Sequence, residues 1–198
     1  GGSGAPTGTG YQQIFSTQSA FAALNRDGSI TAWGDSTSGG SGAPTDTGYQ
    51  QIFSNYYAFA ALNSDGSITA WGNSTYGGSG APTGTGYQQI FSTQSAFAAL
   101  NRDGSITAWG DSTSGGSGAP TDTGYQQIFS NYYAFAALKS DGSITAWGDS
   151  AFGGSGAPTD SGYQQIFSTE YAFAALKSDG SIKAWGGSVF GGSGAPTD

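Results

Sequence analysis

The chain has 198 residues, of which 36 are glycine, 14% are aromatic and only 9% carry a charge. Thirteen acidic and five basic residues give a net charge of −8, which disfavours binding to nucleic acid, and no segment approaches the roughly 20 apolar residues that membrane insertion requires. Cysteine and histidine are absent, so the sequence excludes disulfides, thiolate metal ligands and the commonest general base.

The sequence is a 38-residue unit written five times. The string GGSGAP opens units 1–38, 39–76, 77–114, 115–152 and 153–190, and residues 191–198 begin a sixth copy. Such a period is typical of solenoids, propellers and open arrays, whose units pack mainly on their neighbours. We therefore expect one continuous repeat domain. Because every residue type recurs at equivalent positions, the sequence lacks the differentiated roles of a catalytic site, and we expect no enzyme activity, no metal site and no cofactor.

Each unit opens with a glycine-rich segment and a first strand. In the first unit, residues 1–7 are interpreted as a structural turn, since Pro6 fixes φ and cannot donate to a sheet. The run YQQIFS at 11–16 has the aromatic and β-branched content of a strand. Residues 17–19 are a loop that varies between the units.

A β-hairpin is the strongest local signal. Residues 25–28 read Asn-Arg-Asp-Gly, which favours a type I turn closed by a left-handed glycine. This turn would place Asn25 opposite Ser29, Leu24 opposite Ile30, Ala23 opposite Thr31, Ala22 opposite Ala32, and Phe21 opposite Trp33.

Both faces of this hairpin are apolar. One face carries Leu24 and Ile30 with two alanines, and the other carries Phe21 and Trp33. A sheet that is apolar on both faces must be covered on both faces, so an isolated unit should not fold. We predict an all-β fold of antiparallel β-meander units in a five-bladed, propeller-like arrangement. The alternative is an open, β-solenoid-like stacked array, as in a segment of a fibre.

The loop tyrosines are the candidate ligand-binding residues. Positions 17–19 read Thr-Gln-Ser in the first and third units, whereas the other units carry tyrosine there. Rigid aromatic side chains on loops suit recognition. The alternative, that they cover a neighbouring unit, stays open. The candidates are Tyr56, Tyr57, Tyr132, Tyr133 and Tyr171.

Other recurrent residues have structural interpretations. Asp27 and its equivalents are expected to form turns, because one carboxylate falls short of the roughly six to eight oxygen ligands of calcium. Asp35 and its equivalents, which follow Trp-Gly, are also expected to form turns. Trp33 and its equivalents are expected in the core rather than in sugar-binding sites.

The stretch Phe59–Gly72, which reads FAALNSDGSITAWG, and the YGGSG that follows at 76–80 resemble the regulator of chromosome condensation (RCC) repeat. That repeat has the form A-L-x-x-D-G-x-[IV]-x-x-W-G followed by a glycine-rich segment, and all five units show it. The resemblance implies a β-propeller blade of four antiparallel strands, with the glycine-rich piece in the outer strand. It looks closest to the tandem copies of long bacterial surface proteins.

Three functions are expected from these features. The first is a non-enzymatic structural repeat module of an extracellular bacterial surface protein or filament, which self-associates or packs on neighbouring repeats in adhesion or assembly. The second is a multivalent lectin with one weak glycan site per unit. The third is a designed symmetric scaffold. Differences between equivalent positions, such as Asn25 and Lys177, argue against it because they resemble natural divergence. Because the chain has no methionine, we also expect a processed product or a segment of a longer protein.

Overall fold

The computed structural model describes residues 4–196, and the same three-stranded antiparallel sheet recurs in each of the five units. The chain runs through each sheet as a meander, so that the second strand pairs with both the first and the third. Residues 1–3 of the first glycine-rich segment and the last two residues of the sixth copy lie outside the described residues. Within 4–196, no helix is long and apolar enough to cross a membrane.

Residues 4–196 contain fifteen strands and five short 3-10 helices. The first strands of the sheets are β1 (Tyr11–Ser16), β4 (Tyr49–Ser54), β7 (Tyr87–Ser92), β10 (Tyr125–Ser130) and β13 (Tyr163–Ser168). The second strands are β2 (Ala20–Asn25), β5 (Ala58–Asn63), β8 (Ala96–Asn101), β11 (Ala134–Lys139) and β14 (Ala172–Lys177). The third strands are β3 (Ile30–Gly34), β6 (Ile68–Gly72), β9 (Ile106–Gly110), β12 (Ile144–Gly148) and β15 (Ile182–Gly186). The 3-10 helices follow at Ser36–Ser38, Ser74–Tyr76, Ser112–Ser114, Ser150–Phe152 and Ser188–Phe190.

The predicted hairpin register is confirmed. Leu24 pairs with Ile30 and Phe21 pairs with Trp33 across β2 and β3, and the other four sheets repeat this pairing. The two apolar faces predicted from the alternation therefore lie on opposite sides of each sheet.

The predicted turn chemistry is also confirmed. Gly28 has a φ of 80°, in the left-handed region, and its amide donates to the carbonyl of Asn25 at 3.0 Å. The carboxylate of Asp27 accepts from the amide of Ser29 at 2.9 Å. Asp35 begins the first 3-10 helix by accepting from the amide of the helix's last residue. These aspartates are turn and cap residues, as expected.

The hydrophobic core lies between the units. At the first junction, one face of the first sheet packs on the opposite face of the second sheet, and Phe59 stacks on Trp71 with ring centroids 5.1 Å apart. The predicted core position is confirmed for Trp71 and its equivalents in the later units, which are buried, whereas Trp33 on the open face of the first unit is half-buried. The buried residues of the first junction are Ala20, Ala22, Leu24 and Ile30 from the first unit, and Tyr49, Ile52, Phe59, Ala61 and Trp71 from the second.

The glycine-rich segment does not supply the fourth strand that the resemblance implied. Instead it joins successive units, because the indole Nε1 of Trp71 donates to the carbonyl of Gly39 at 3.0 Å. A Cβ on Gly39 would lie 2.6 Å from Cδ2 of Phe59, so only glycine allows this approach. The later junctions repeat the bond in the pairs Trp109–Gly77, Trp147–Gly115 and Trp185–Gly153.

The five units form an open arc. Ile14 of the first unit is 63% exposed, whereas the identical position in the third unit, Ile90, is 3% exposed. Phe167, on the outer face of the fifth unit, is 57% exposed. The predicted five-unit, propeller-like meander is therefore confirmed, and the faces of its first and last units are not covered by each other.

Candidate functional site

The two ends of the sheets differ in chemistry. The loop end consists of residues 17–19 and their equivalents together with the 3-10 helices, which are linked by bonds such as Thr17 Oγ1 to the carbonyl of Ser38 at 3.0 Å. The turn end consists of the hairpin turns at 26–29 and their equivalents. Four of the five basic residues lie at the turn end and the fifth lies in β15; they are Arg26, Arg102, Lys139, Lys177 and Lys183.

A polar channel opens at the loop end, along the axis of the arc. Its volume is about 650 Å³, and three consecutive residues of every unit line it. The lining residues are 16–18, 54–56, 92–94, 130–132 and 168–170. Hydroxyl and amide groups predominate, and Glu170 alone among these residues carries a charge. Because every unit contributes, the channel depends on the curvature of the whole arc.

A ladder of backbone hydrogen bonds surrounds this channel. The amide of Gln18 donates to the carbonyl of Tyr56 at 2.9 Å, and Tyr56 donates to Gln94 at 3.1 Å. Gln94 then donates to Tyr132 at 2.9 Å, and Tyr132 donates to Glu170 at 3.1 Å. The donation always runs from one unit to the next, and it fixes these five residues around the channel mouth.

A buried asparagine holds the tyrosine-bearing loops of the second and fourth units, and Thr169 takes its place in the fifth. The side-chain amide of Asn55 donates to the carbonyl of Tyr76 at 2.6 Å, and its side-chain oxygen accepts from the amides of Tyr57 and Ala58, both at 2.8 Å. Thr17 and Thr93 take the same place in the first and third units. The loop aromatics therefore stand on an ordered backbone.

The structure brings the five predicted tyrosines together. Tyr132 is the centre of the group, with ring centroids 6.3 Å from Tyr56, 6.2 Å from Tyr133 and 5.8 Å from Tyr171. Tyr57 joins through Tyr56 at 6.0 Å. These rings pack on one another across units, and Tyr56 and Tyr132 also line the channel. Ligand binding by the five tyrosines stays a prediction.

Three further aromatics complete this group and were missed from the sequence. Each packs on the tyrosine of its own unit, with centroid distances of 4.5 Å for Tyr57 and Tyr76, 5.1 Å for Tyr133 and Phe152, and 4.5 Å for Tyr171 and Phe190. We call the eight residues the aromatic cluster: Tyr56, Tyr57, Tyr76, Tyr132, Tyr133, Phe152, Tyr171 and Phe190.

Variation between the units could have revealed those three residues. Where the loop ends in serine, as at Ser19 and Ser95, the last residue of the 3-10 helix is also serine. Where the loop ends in tyrosine, that residue is tyrosine or phenylalanine. Positions that change together within one chain of repeats are in contact here.

The electrostatics of the mouth are set by tyrosine and one carboxylate. Hydrogen bonding to Tyr56 and electrostatic interaction with it, and then the negative charge of Glu170, raise the pKa of Tyr132 to about 12. Burial, followed by the charge of Glu170, raises the pKa of Tyr171. Both phenols are therefore neutral at physiological pH and can donate hydrogen bonds or present their ring faces.

At the turn end, two lysines form ion pairs within the chain. Lys139 bonds to Asp122, and this bond lowers the pKa of the Asp122 carboxyl. The same ammonium lies 4.8 Å from the ring centroid of Tyr125. Lys177 and Asp160 repeat the pair in the fifth unit. Within residues 4–196, no three acidic side chains are grouped as metal ligands would be.

Comparison with known proteins identifies the fold. The sequence matches no protein-family model and no curated protein. The WD40 ectodomain of the Arabidopsis thaliana receptor kinase ACR4 superposes with a TM-score of 0.61 and 18% identity, over 95% of this chain and 67% of that one. Human WBSCR16 gives a TM-score of 0.58 and 16% identity, over 89% of this chain and 61% of that one.

An RCC protein is among the similar structures. Prp20p from Saccharomyces cerevisiae, which is yeast RCC1, superposes with a TM-score of 0.56 and 16% identity, over 88% of this chain and 57% of that one. Its structure was described together with its binding to Gsp1p and histones. These likenesses confirm an RCC-type propeller fold. The chain spans 57% to 67% of the lengths of the three proteins.

Proposed function

We propose that this chain is a non-enzymatic structural repeat module of an extracellular bacterial surface protein or filament, and that it assembles with further repeats through the two open faces of its arc. The observation that carries the proposal is the difference in exposure of identical residues. Ile14 and Phe21 are exposed in the first unit, while Ile90 and Phe97 are buried in the third. An apolar face that fits the next unit at four junctions is suited to a fifth.

The two open faces are complementary. Every internal junction joins the leucine–isoleucine face of one unit to the phenylalanine–tryptophan face of the next. The first unit leaves a phenylalanine–tryptophan face open, and the fifth unit leaves a leucine–isoleucine face open. A further repeat, from the same protein or from another copy, could therefore pack on either open face with the same contacts as at an internal junction.

The uniformity of the repeats and the composition of the chain also support a structural role at the cell surface. Most side chains of the strands recur in all five units, so the sheets lack a pair of differently tuned acid and base groups of the kind that catalysis needs. A low charge, many glycines and near-perfect duplication fit tandem surface repeats. The propeller of the ACR4 ectodomain is an example of this fold in the extracellular part of a receptor.

Light scattering over a range of concentrations tests the assembly. We expect association that Ile14→Asp weakens, because a charge would enter the apolar junction. The matched control is Val189→Asp, since Val189 is 85% exposed and its equivalents are exposed in every unit. A chain that stays monomeric at the highest attainable concentration would contradict the assembly role.

A multivalent glycan-binding role is the second candidate, favoured by the aromatic cluster beside a polar channel. Aromatic rings and nearby hydroxyl and amide groups are what a sugar ring requires for stacking and hydrogen bonding. We expect glycan-array binding that is lost in the double variant Tyr57→Ser and Tyr133→Ser. Ser19 and Ser95 show that serine is accommodated at this position. No signal on the array, or binding that survives the double variant, would exclude this candidate.

A further inference from the structure

The loop end carries negative charge and no positive charge. All five basic residues lie elsewhere, whereas four acids stand at this end of the sheets. These acids are Asp35, Asp111, Asp149 and Glu170. An acidic surface that lacks a competing cation attracts cationic ligands.

Beside Glu170, the ring of Tyr132 is perpendicular to two of its neighbours. Tyr132 lies at interplanar angles of 84° to Tyr56 and 83° to Tyr171. An edge-to-face pair covers only one face of one of its two rings, so ring faces stay uncovered beside Tyr132, and the face of an aromatic ring is its electron-rich side. The backbone amide of Tyr132 donates to the carbonyl of Glu170, so the backbone that carries the carboxylate side chain is held next to these rings.

The space at this point is open to a ligand. Tyr56, Tyr132 and Glu170 line the channel of about 650 Å³, and the side chains of Tyr56 and Glu170 are exposed. By contrast, Tyr57 lies 4.5 Å from the ring of Tyr76 at an angle of 32°, so one of its faces is already covered. The uncovered aromatic surface is therefore concentrated at the mouth, where the carboxylate is.

We propose that the channel mouth, formed by Tyr56, Tyr132 and Glu170 beside the ring of Tyr171, binds a quaternary ammonium group. Such a cation is weakly hydrated and has no N–H to satisfy, so ring faces and one carboxylate supply all that it needs. A neutral sugar can donate hydrogen bonds to this carboxylate, but it carries no charge for the carboxylate to neutralise. The proposal does not depend on the assembly role, which concerns the end faces of the arc.

The chain supplies matched substitutions for the test. Glu170→Gln and Tyr132→Gln each place at the mouth the residue that Gln18 and Gln94 already provide in other units. Asp111→Asn removes a loop-end charge from the third unit, which carries none of the aromatic cluster, and Asn73 holds the same position in the second unit. All three variants are therefore expected to fold.

The experiment is a titration of the full chain, with isotope-labelled tyrosine rings observed by NMR. The probe is choline, and its control is 3,3-dimethylbutan-1-ol, which has the same shape without the charge. We expect saturable shifts with choline and at least several-fold weaker binding of the neutral alcohol. Glu170→Gln and Tyr132→Gln should weaken choline binding by about 2- to 30-fold, the range of one cation–π or ion contact, while Asp111→Asn should leave it unchanged.

Other results would overturn the proposal. Equal binding of the neutral alcohol would show an unspecific apolar site, and an equal effect of Asp111→Asn would show general charge attraction. Methyl glycosides that bind more tightly than choline would assign the mouth to sugars. Vesicles of phosphatidylcholine, compared with vesicles of phosphatidylglycerol, distinguish a lipid headgroup from a soluble source of the cation, and binding from either source supports the proposal.

Discussion

Glycine at the start of the GGSG segment allows two units to touch. At Gly115, which has a φ of 94°, an added Cβ would lie 2.6 Å from Cδ2 of the buried Phe135. We expect Gly115→Ala to lower the free energy of unfolding by about 1–3 kcal/mol, because it adds both backbone strain and a clash. Chemical denaturation measures this change.

Gly84 is the matched control for that substitution. Its φ is not in the left-handed region, and the atom nearest to an added Cβ is 4.0 Å away. Gly84→Ala should change the free energy of unfolding by no more than about 0.5 kcal/mol. Equal effects of the two alanines would mean that Gly115 is not in contact with the next unit.

The turn aspartates predict a dependence of stability on pH. Hydrogen bonds from Ser29 lower the pKa of Asp27, and equivalent hydrogen bonds lower the pKa values of Asp65 and Asp103. A folded-state pKa below the unfolded value means that the ionised carboxylate stabilises the fold above about pH 4, and that this contribution is lost as pH falls through the folded pKa.

The triple variant Asp27→Asn, Asp65→Asn and Asp103→Asn isolates this contribution, since asparagine also forms such turns. We expect the variant to have a lower melting temperature than the unmodified chain at pH 7, and the two melting temperatures to converge as the pH falls below about 4. A difference in melting temperature that is constant with pH would contradict the assignment of these hydrogen bonds.

At the scale of elements, the hairpin could be predicted from the sequence and the glycine-rich segment could not. Asn-x-Asp-Gly specifies one turn geometry, and that geometry fixes every pair from Phe21–Trp33 to Leu24–Ile30. The GGSG segment has no side chains to indicate a periodicity. Its Gly39 and Gly42 have left-handed φ values of 96° and 81°, and the segment joins none of the three-stranded sheets, so the fourth strand implied by the resemblance is wrong.

The candidate site shows a similar division. The loop tyrosines could be predicted because they are local deviations from an otherwise constant repeat. Tyr76 and its equivalents are about 20 residues away along the chain, and only the closing of the sheet brings the 3-10 helix onto the loop. The channel could not be predicted at all, because it exists only when five units curve around one axis.

Units one and three have the same sequence in different surroundings, which provides a test of the junctions. Phe97 is 0% exposed and Phe21 is 43% exposed. We expect Phe97→Ala to cost about 3–5 kcal/mol of stability and Phe21→Ala less than half of that, in denaturation at low protein concentration. Equal costs would show that the first face is covered in solution.

At the scale of the whole molecule, stability is approximately a sum over units and the junctions between them. The end units share one junction each, whereas the inner units share two. We expect the amides of β2 to exchange with solvent faster than those of β8, although the two strands have the same sequence. NMR is the appropriate measurement, because peptides from the two units have the same mass. Equal protection would indicate that the arc closes.

The ladder around the channel gives the arc a polarity. Within residues 4–196 it starts at the carbonyl of Gln18, which is left as an acceptor, and it stops at the amide of Glu170, which is left as a donor. Two arcs that met through like ends would oppose two acceptors or two donors. Arcs that add at either end must therefore keep the same direction of hydrogen bonding, so any filament built from this repeat would have two distinguishable ends.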